Sequence, residues 1–383
     1  MDKNIVIGAD DFWYSSLQIG CHQYAKLFAN NGFRVGFISP AISPFHFLLP
    51  GKKYLLKEKA RMWSHGGEWV SPRKIWAYVP FTFLPVSNQP LLRSKYVIEN
   101  GYKYTLPSVE RLLNKNGFDK SDILWLNNSP LSYLINLVKY KFSILRITDN
   151  NAGFSKITKN AINKEKELIQ KVDMVIVTAR LLAEQFKAIR KEGIYYIPNG
   201  ADFEHFYNGE DAMPEEYHKI PSPRVVYMGS IEEWLDIELL KSIANRLKKI
   251  SFILIGRAGI DLSELKGISN IYILGGRNYN MLPGYLKNAD VGIIPFKKSF
   301  LTETVNPIKL YEYMACGLPV VSVRWNELDH IKSPALLANN YNEFAEMLAG
   351  ALQSKNKNQY IEYARNNSWQ NRFEKIMGIV NSN

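Results

Sequence analysis

Lys309 and Glu312 stand three residues apart in the run Thr302-Glu303-Thr304-Val305-Asn306-Pro307-Ile308-Lys309-Leu310-Tyr311-Glu312-Tyr313-Met314-Ala315-Cys316-Gly317-Leu318-Pro319. Asn306 is the expected N-cap of a helix and Pro307 its expected first residue, while Gly317 and Pro319 signal its end. The start of such a helix carries unpaired N–H groups and a partial positive charge, which suit phosphate. Residues three apart share a helix face. A lysine there, with a carboxylate one turn later, fits a nucleoside diphosphate, Lys309 on phosphate and Glu312 on ribose hydroxyls. The plainer reading is an exposed Lys–Glu pair worth about 0.2–0.5 kcal/mol, and helix geometry alone does not separate the two.

Other candidates lie at strand ends. Asp149 follows Leu145-Arg146-Ile147-Thr148 and precedes the polar loop Asn150-Asn151-Ala152-Gly153. The carboxyl ends of strands are where α/β sheets place ligands, but an aspartate there is also a common helix cap. His22, on the first expected helix, is a rival base or a packed core residue. Phe12, Trp13 and Tyr14, in the loop after the first strand, are placed to stack on a sugar ring or to fill a hydrophobic step. That loop has no GxGxxG, which argues against dinucleotide binding. Gly256-Arg257-Ala258-Gly259 ends a strand in the second half, where Arg257 can approach a nucleotide base or phosphate.

These residues need two sheets to hold them. Strands are expected at Ile5–Gly8, Arg34–Ile38, Ile123–Leu126, Ile144–Ile147, Met174–Val177 and Ile194–Ile197, with helices between them, the first ending at Gly32. From Pro198 to Pro223 the chain reads as a polar, turn-rich break. A second series follows at Val225–Met228, Phe252–Ile255, Ile271–Leu274, Val291–Ile294 and Val320–Ser322. Alternating strands and helices imply parallel sheets covered on both faces. The expected fold is α/β, with two Rossmann-like doubly wound domains facing across a cleft: residues 1–200, residues 201–365, and a tail helix, 366–383, returning to the first domain. Ser368 caps that helix, and Trp369, Phe373, Ile376, Met377 and Val380 share one face.

The 383 residues, 46% hydrophobic and 22% charged, suit two globular cores and exclude a disordered or disulfide-stapled chain. Two distant cysteines, Cys21 and Cys316, form no zinc or redox motif. No signal peptide or spanning segment is expected, because every apolar run breaks before the roughly 20 residues a span requires. The formal charge of +12 implies an anionic partner. Residues 51–120 hold thirteen lysines and arginines against five acidic residues, interleaved with Trp63, Trp69, Trp76, Tyr78, Phe81 and Phe83. Rings beside cations suit a lipid headgroup layer. Nucleic acid is the alternative anionic partner, as for a basic nucleic-acid-binding protein, but the sequence shows no nucleic-acid module.

The pattern Asn306-Pro307-x-Lys309-x-x-Glu312-Tyr313-x-Ala315-x-Gly317-x-Pro319-Val320-Val321 resembles the donor-binding helix of GT-B glycosyltransferases. Ile197-Pro198-Asn199-Gly200-Ala201-Asp202 with Phe206 resembles their crossover between domains. Tyr227-Met228-Gly229-Ser230 with Trp234 and Asp236 resembles the first strand and loop of their second domain. Tyr285-Leu286-x-x-Ala289-Asp290-Val291-Gly292-Ile293-x-Pro295-Phe296 resembles the strand before the donor helix. In the first half, Leu145-Arg146-Ile147-Thr148-Asp149-Asn150 and Trp76-Ala77-Tyr78-Val79-Pro80-Phe81 are similar to GumK-type glucuronosyltransferases and to polysaccharide and teichuronic-acid transferases.

That resemblance implies an inverting, metal-independent enzyme moving a sugar, with glucuronic acid a candidate, from a UDP-sugar to a polyprenyl-diphosphate-linked oligosaccharide. It would work at the cytoplasmic face of the membrane in cell-surface polysaccharide synthesis and need no cofactor. Asp149 becomes the expected general base. Met228, Gly229, Ser230, Arg257, Arg277, Phe296, Ile308, Lys309 and Glu312 become expected donor contacts, with Phe12, Trp13, Tyr14 and His22 on the acceptor side. Retaining GT-B enzymes carry a glutamate eight positions before the one at 312. Here Thr304 stands there and Glu303 is one step out of register, and a retaining transferase stays as an alternative. So does a GT-B nucleotide-sugar epimerase.

Overall fold

The computed structural model describes every residue except 1–2, 49–54, 72–73, 88, 90, 128, 154–156 and 383. The chain divides into two compact units, Met1–Ile197 with Met377–Asn383, and Pro198–Ile376.

The first unit is built on an eight-stranded sheet: β1 (Lys3–Gly8), β2 (Phe33–Ile38), β3 (Glu68–Ser71), β4 (Ile75–Tyr78), β5 (Lys120–Leu126), β6 (Lys139–Ile147), β7 (Met174–Val177) and β8 (Ile194–Tyr196). Their spatial order is β3-β4-β2-β1-β5-β6-β7-β8, parallel throughout except for the antiparallel β3–β4 pair. The inner strands are apolar on both faces, as Ile5, Val6 and Ile7 on β1 show, because helices cover both sides. From β1 the chain first winds outward through β2 and then, starting at β5, in the other direction. The carboxyl ends of β1 and β5 therefore flank a topological switch point.

The second unit repeats the plan with β9 (Arg224–Met228), β10 (Ser251–Ile255), β11 (Ile271–Gly275), β12 (Val291–Ile294), β13 (Val320–Val323) and β14 (Leu336–Ala338). The order is β11-β10-β9-β12-β13-β14, all parallel, with its switch point between β9 and β12. The segment Pro198–Pro223, expected as a polar break, instead holds the short helix Phe203–Asn208 and a 3-10 turn, Glu215–Lys219. Phe206 and Tyr217 from these pieces are buried in the core of the second unit.

The last helix, Trp369–Ser382, begins where expected. The Ser368 hydroxyl accepts the Asn371 N–H at 3.3 Å, and Trp369, Phe373 and Ile376 are buried. Its start is tied to the crossover by Ala201 N–H to Asn367 O (3.1 Å) and Trp369 N–H to Ala201 O (2.9 Å). Among the described residues, no helix is long and apolar enough to cross a membrane.

Candidate functional site

At the switch point of the second unit, helix Ile308–Ala315 presents its start toward the carboxyl ends of β9 and β12. Tyr313 pins the helix there: its hydroxyl accepts the Met228 N–H at 2.7 Å and lies 3.5 Å from the Ile293 carbonyl. Asn306 is not the cap. Its amide is drawn elsewhere, with Oδ1 accepting Asn199 N–H (3.0 Å) and the Tyr311 hydroxyl (3.1 Å), while Nδ2 donates to Glu327 (2.9 Å). Pro307 takes the cap position and supplies no side-chain cap to the first turn. The helix start thus keeps orphan N–H groups and the positive end of its dipole.

Lys309 lies on that first turn. Its ammonium sits 4.7 Å from the Phe296 ring centroid and 5.1 Å from that of Tyr227. Gly229, at φ +134°, passes so close that a Cβ there would stand 3.2 Å from the Lys309 nitrogen. Burial pulls the ammonium's pKa down to about 8, opposed by Glu312. Glu312, one turn on and 9% exposed, is pushed up to about 8 by burial, with Lys309 opposing and Asp202 adding. Among the described residues, neither side chain has a hydrogen-bond or ion-pair partner. At pH 7 Lys309 is therefore charged and Glu312 mostly neutral, so the pair itself carries a positive charge. An anion with hydroxyl groups at helix-turn distance meets these requirements.

The other expected donor contacts divide. Phe296 is buried, stacked on Trp325 at 5.9 Å, and serves as a floor for Lys309. The N–H groups of Met228 and Gly229 are committed, the first to Tyr313 and the second to Ile255 O at 2.9 Å. Ser230 is half-buried, and its carbonyl accepts the Tyr227 hydroxyl at 2.6 Å. Ile308 is half-buried at the first helical position, and Arg257 is exposed beyond β10. Arg277 is held by Glu216 (2.6 Å), the Tyr285 hydroxyl (2.8 Å) and nearby carbonyls, and acts as a brace within its own unit.

In the first unit, Asp149 follows β6 and is half-buried, its Oδ2 accepting the Thr148 hydroxyl at 2.8 Å. Burial raises its pKa, Thr148 opposes, Asp10 raises it further and Arg146 lowers it. Asp10 and Arg146 escaped the sequence reading. Asp10 lies two residues beyond β1 at the switch point, and among the described residues its buried Oδ1 has no hydrogen-bond partner. Arg146 is 2% exposed, its guanidinium 5.5 Å from the Tyr24 ring and 2.9 Å from where a Cβ on Gly20 would stand. An acidic residue just past the first strand was the available signal for Asp10. Nothing in the sequence places Arg146 on the inner face.

The acceptor-side expectations need correction. Phe12 is 1% exposed, part of the core. His22 is buried with Nε2 2.9 Å from the Phe12 carbonyl, so that nitrogen carries the proton and donates; Nδ1 faces Cys21 Sγ at 3.5 Å. Burial also lowers its pKa. A neutral ring with both nitrogens turned inward is no base for a substrate. Trp13 is half-buried edge-on to Phe37 at 5.0 Å, leaving Tyr14 exposed, with its hydroxyl donated to Glu68. Among the described residues, no group of three or more His, Cys, Asp or Glu is placed to hold a metal ion.

Comparison with known proteins matches this division. The family model described as glycosyl transferases group 1 matches residues 222–354, the greater part of the second unit. A Bacillus subtilis (strain 168) protein assigned to teichuronic acid biosynthesis as a glycosyltransferase, TuaH, is 25% identical over 187 residues, 47% of this chain and 46% of that protein. The chain thus aligns with about half the length of that curated relative. Among solved structures, sucrose-phosphate synthase from Thermosynechococcus elongatus superposes with a TM-score of 0.72 at 16% identity, over 99% of this chain and 98% of that one. Anabaena HepE, in complex with UDP and glucose, gives 0.64 at 14% over the whole of both chains. The fold is GT-B, two parallel-sheet α/β domains.

Proposed function

We propose that the chain is a glycosyltransferase of polysaccharide biosynthesis that takes its sugar from a UDP-linked donor held by the second unit. The observation that carries this reading is the unpartnered Lys309–Glu312 pair on an uncapped helix start, at the switch point of the unit that matches the glycosyl transferases group 1 model. Lys309 and the first-turn N–H groups take the diphosphate, and Glu312 takes the ribose hydroxyls. Anabaena HepE, similar in fold, is a complex with UDP and glucose, which supports the choice of nucleotide.

The transfer is read as a single displacement with inversion. The acceptor hydroxyl forms its bond to the anomeric carbon while the bond to the diphosphate oxygen breaks, its electron pair leaving with UDP. Asp149 takes the hydroxyl proton, a task its raised pKa favours. Thr304, where a retaining enzyme carries its glutamate, is buried with its hydroxyl donated to the Leu301 carbonyl at 2.9 Å, and supplies no carboxylate. The Glu303 carboxylate instead accepts the Asn326 N–H at 3.1 Å. The acceptor is read as a lipid-linked oligosaccharide and the place of work as the cytoplasmic membrane surface, with glucuronic acid one donor sugar to test.

Calorimetry with UDP tests the donor site. A charge-assisted hydrogen bond contributes about 1.5–3 kcal/mol and a neutral one about 0.5–1.5 kcal/mol, so Lys309→Ala should weaken UDP binding roughly 10–100-fold and Glu312→Ala roughly 2–10-fold. Unchanged affinity in both folded variants would remove the site. Incubation with UDP-sugars in the absence of acceptor separates the alternatives, since epimerisation proceeds there and transfer does not.

A further inference from the structure

The first unit contains a polar cavity of about 300 Å³ that none of the steps above uses. It lies where three pieces meet: helix Lys95–Asn100 with its continuation Gly101–Tyr104, the stretch from Ser129 through helix Leu134–Leu137 after β5, and helix Lys159–Lys171. Tyr102 and Tyr133, rings parallel within 18° and centroids 5.0 Å apart, give it an aromatic wall. The Glu99 carboxylate and Lys164 ammonium, 3.5 Å apart, line it with donors and acceptors together, and the Asn136 amide is exposed at the same cavity. Ser132 is 1% exposed, and among the described residues its buried hydroxyl oxygen has no hydrogen-bond partner. A buried hydroxyl without a partner costs about 1–3 kcal/mol, so its presence on a cavity wall points to a ligand that completes it.

The chemistry selects the ligand. Aromatic faces, the Asn100 and Asn136 amides, the Glu99 carboxylate and two ammonium groups, Lys164 paired with Glu99 and Glu167 and Lys103 set over the Tyr102 ring at 5.9 Å, match a ring that is apolar on its faces and hydroxylated around its rim. The volume is at the small end of ligand pockets, roughly 300–1,000 Å³, and fits one or two sugar rings rather than a nucleotide. The starts of the two longer helices at the cavity, Lys159–Lys171 and Lys95–Asn100, are capped by the Thr158 and Ser94 hydroxyls. Position argues the same way. Ser132 belongs to the connection leaving β5, and the loop after Asp149 is tied to helix Lys159–Lys171 by the Asn151 amide, which donates to Glu165, one residue beyond Lys164. We propose that this cavity binds an uncharged sugar residue of the acceptor glycan, a subsite beside the helix that follows the Asp149 loop. The assignment to the acceptor rests on the transferase reading; the sugar-binding site does not.

Saturation-transfer NMR with cellotetraose, maltotetraose and the tetramer of N-acetylglucosamine tests it on the whole protein. At least one should bind in the millimolar range. Tyr102→Ala should weaken that binding tenfold or more and Ser132→Ala several-fold, while Tyr102→Phe keeps it. UDP affinity should stay at the wild-type value in all three variants, and wild-type melting curves by circular dichroism report that they are folded. No binding of any tetramer, or binding indifferent to Tyr102→Ala, overturns the proposal. Glycan binding without UDP binding would instead overturn the transferase reading and leave the cavity as a sugar site.

Discussion

Below about pH 8 the Lys309 ammonium is charged and Glu312 neutral, and above it both change in the direction that repels an anion. The sign follows from the shifts. Lys309 is depressed from its usual range, so a diphosphate that stabilises the ammonium takes up a proton on binding; Glu312 is raised, and its ionisation adds a negative charge beside the ligand. UDP affinity measured by calorimetry should hold steady from pH 6.5 to 7.5. It should then fall about tenfold per pH unit for each proton linked to binding, and Lys309→Ala should flatten the profile. A flat wild-type profile to pH 9.5 would contradict the buried, solvent-poor environment assigned to the pair. Asp149 makes a separate claim, because its role is in turnover. Asp149→Asn keeps the shape and cannot accept a proton, so turnover should drop roughly 10²–10⁴-fold with UDP affinity unchanged. Near-wild-type turnover excludes Asp149 as the base, and lost UDP binding moves it out of the proton-transfer role.

The loops after β9 and β10 approach so closely that a Cβ on Gly256 would stand 1.8 Å from the Gly229 carbonyl oxygen. Because Gly229 also lies under Lys309, a substitution at 256 acts on the donor site through the backbone. Gly256→Ala should cost about 1–3 kcal/mol in overpacking, lowering the melting temperature by several degrees, and should weaken UDP binding as Gly229 moves. Gly350, on helix Tyr341–Ala351 with open space around it, is the contrast. Gly350→Ala should raise stability by about 0.5–1 kcal/mol and leave UDP binding alone. Elements such as these were legible where a long apolar run or a strong stop signal announced them, as with β1, β6, β9 and Gly32. β4 was not legible as a strand: Ile75-Trp76-Ala77-Tyr78 is buried on both faces and shows no alternation. β14 is three residues long, too short for any period. The Pro198–Pro223 segment reads as polar because its surface is polar, while Phe206 and Tyr217 reach inward from pieces shorter than the periodicity window. Asn306 has the residue type of a cap, but partners 107 and 21 residues away decide its conformation. Lys309 and Glu312 could be found because helix spacing is local; Asp10 and Arg146 join Asp149 only through the sheet.

Across the whole molecule the +12 charge and the exposed apolar surface need a common explanation. Part of the basic stretch 51–120 is accounted for within the fold, since Arg61 pairs with Glu68 at 3.3 Å and Lys95 with Glu99 and Glu167 at 3.7 and 3.5 Å. Lys52, Lys53 and Arg73 lie outside the described residues. Trp76 and Tyr78 belong to the core on β4, so they contribute nothing to a membrane face. What remains outside is a chain of contacts. Phe47 lies 6.5 Å from Phe81, Trp63 stacks on Phe81 at 4.5 Å, Phe83 meets Phe81 edge-on at 5.2 Å, and the Trp63 indole donates to the Leu106 carbonyl. Of these, Phe83 is 55% and Leu106 59% exposed, with Leu48 at 75% beside Phe47 in sequence. Lys57 and Lys59 share the helix Leu56–Ser64 with Trp63. Exposed rings flanked by lysines fit the headgroup layer, and each cation near an anionic surface adds about 1 kcal/mol. Vesicles containing a third phosphatidylglycerol should therefore pellet the protein, with binding reduced by added salt. Phe83→Asp combined with Leu106→Asp should abolish pelleting while UDP affinity is retained, because neither residue belongs to the donor unit. Equal pelleting on neutral vesicles would show that the apolar patch acts without the charge. Pelleting unaffected by the double substitution would move the membrane face elsewhere on the molecule and leave the patch to another partner.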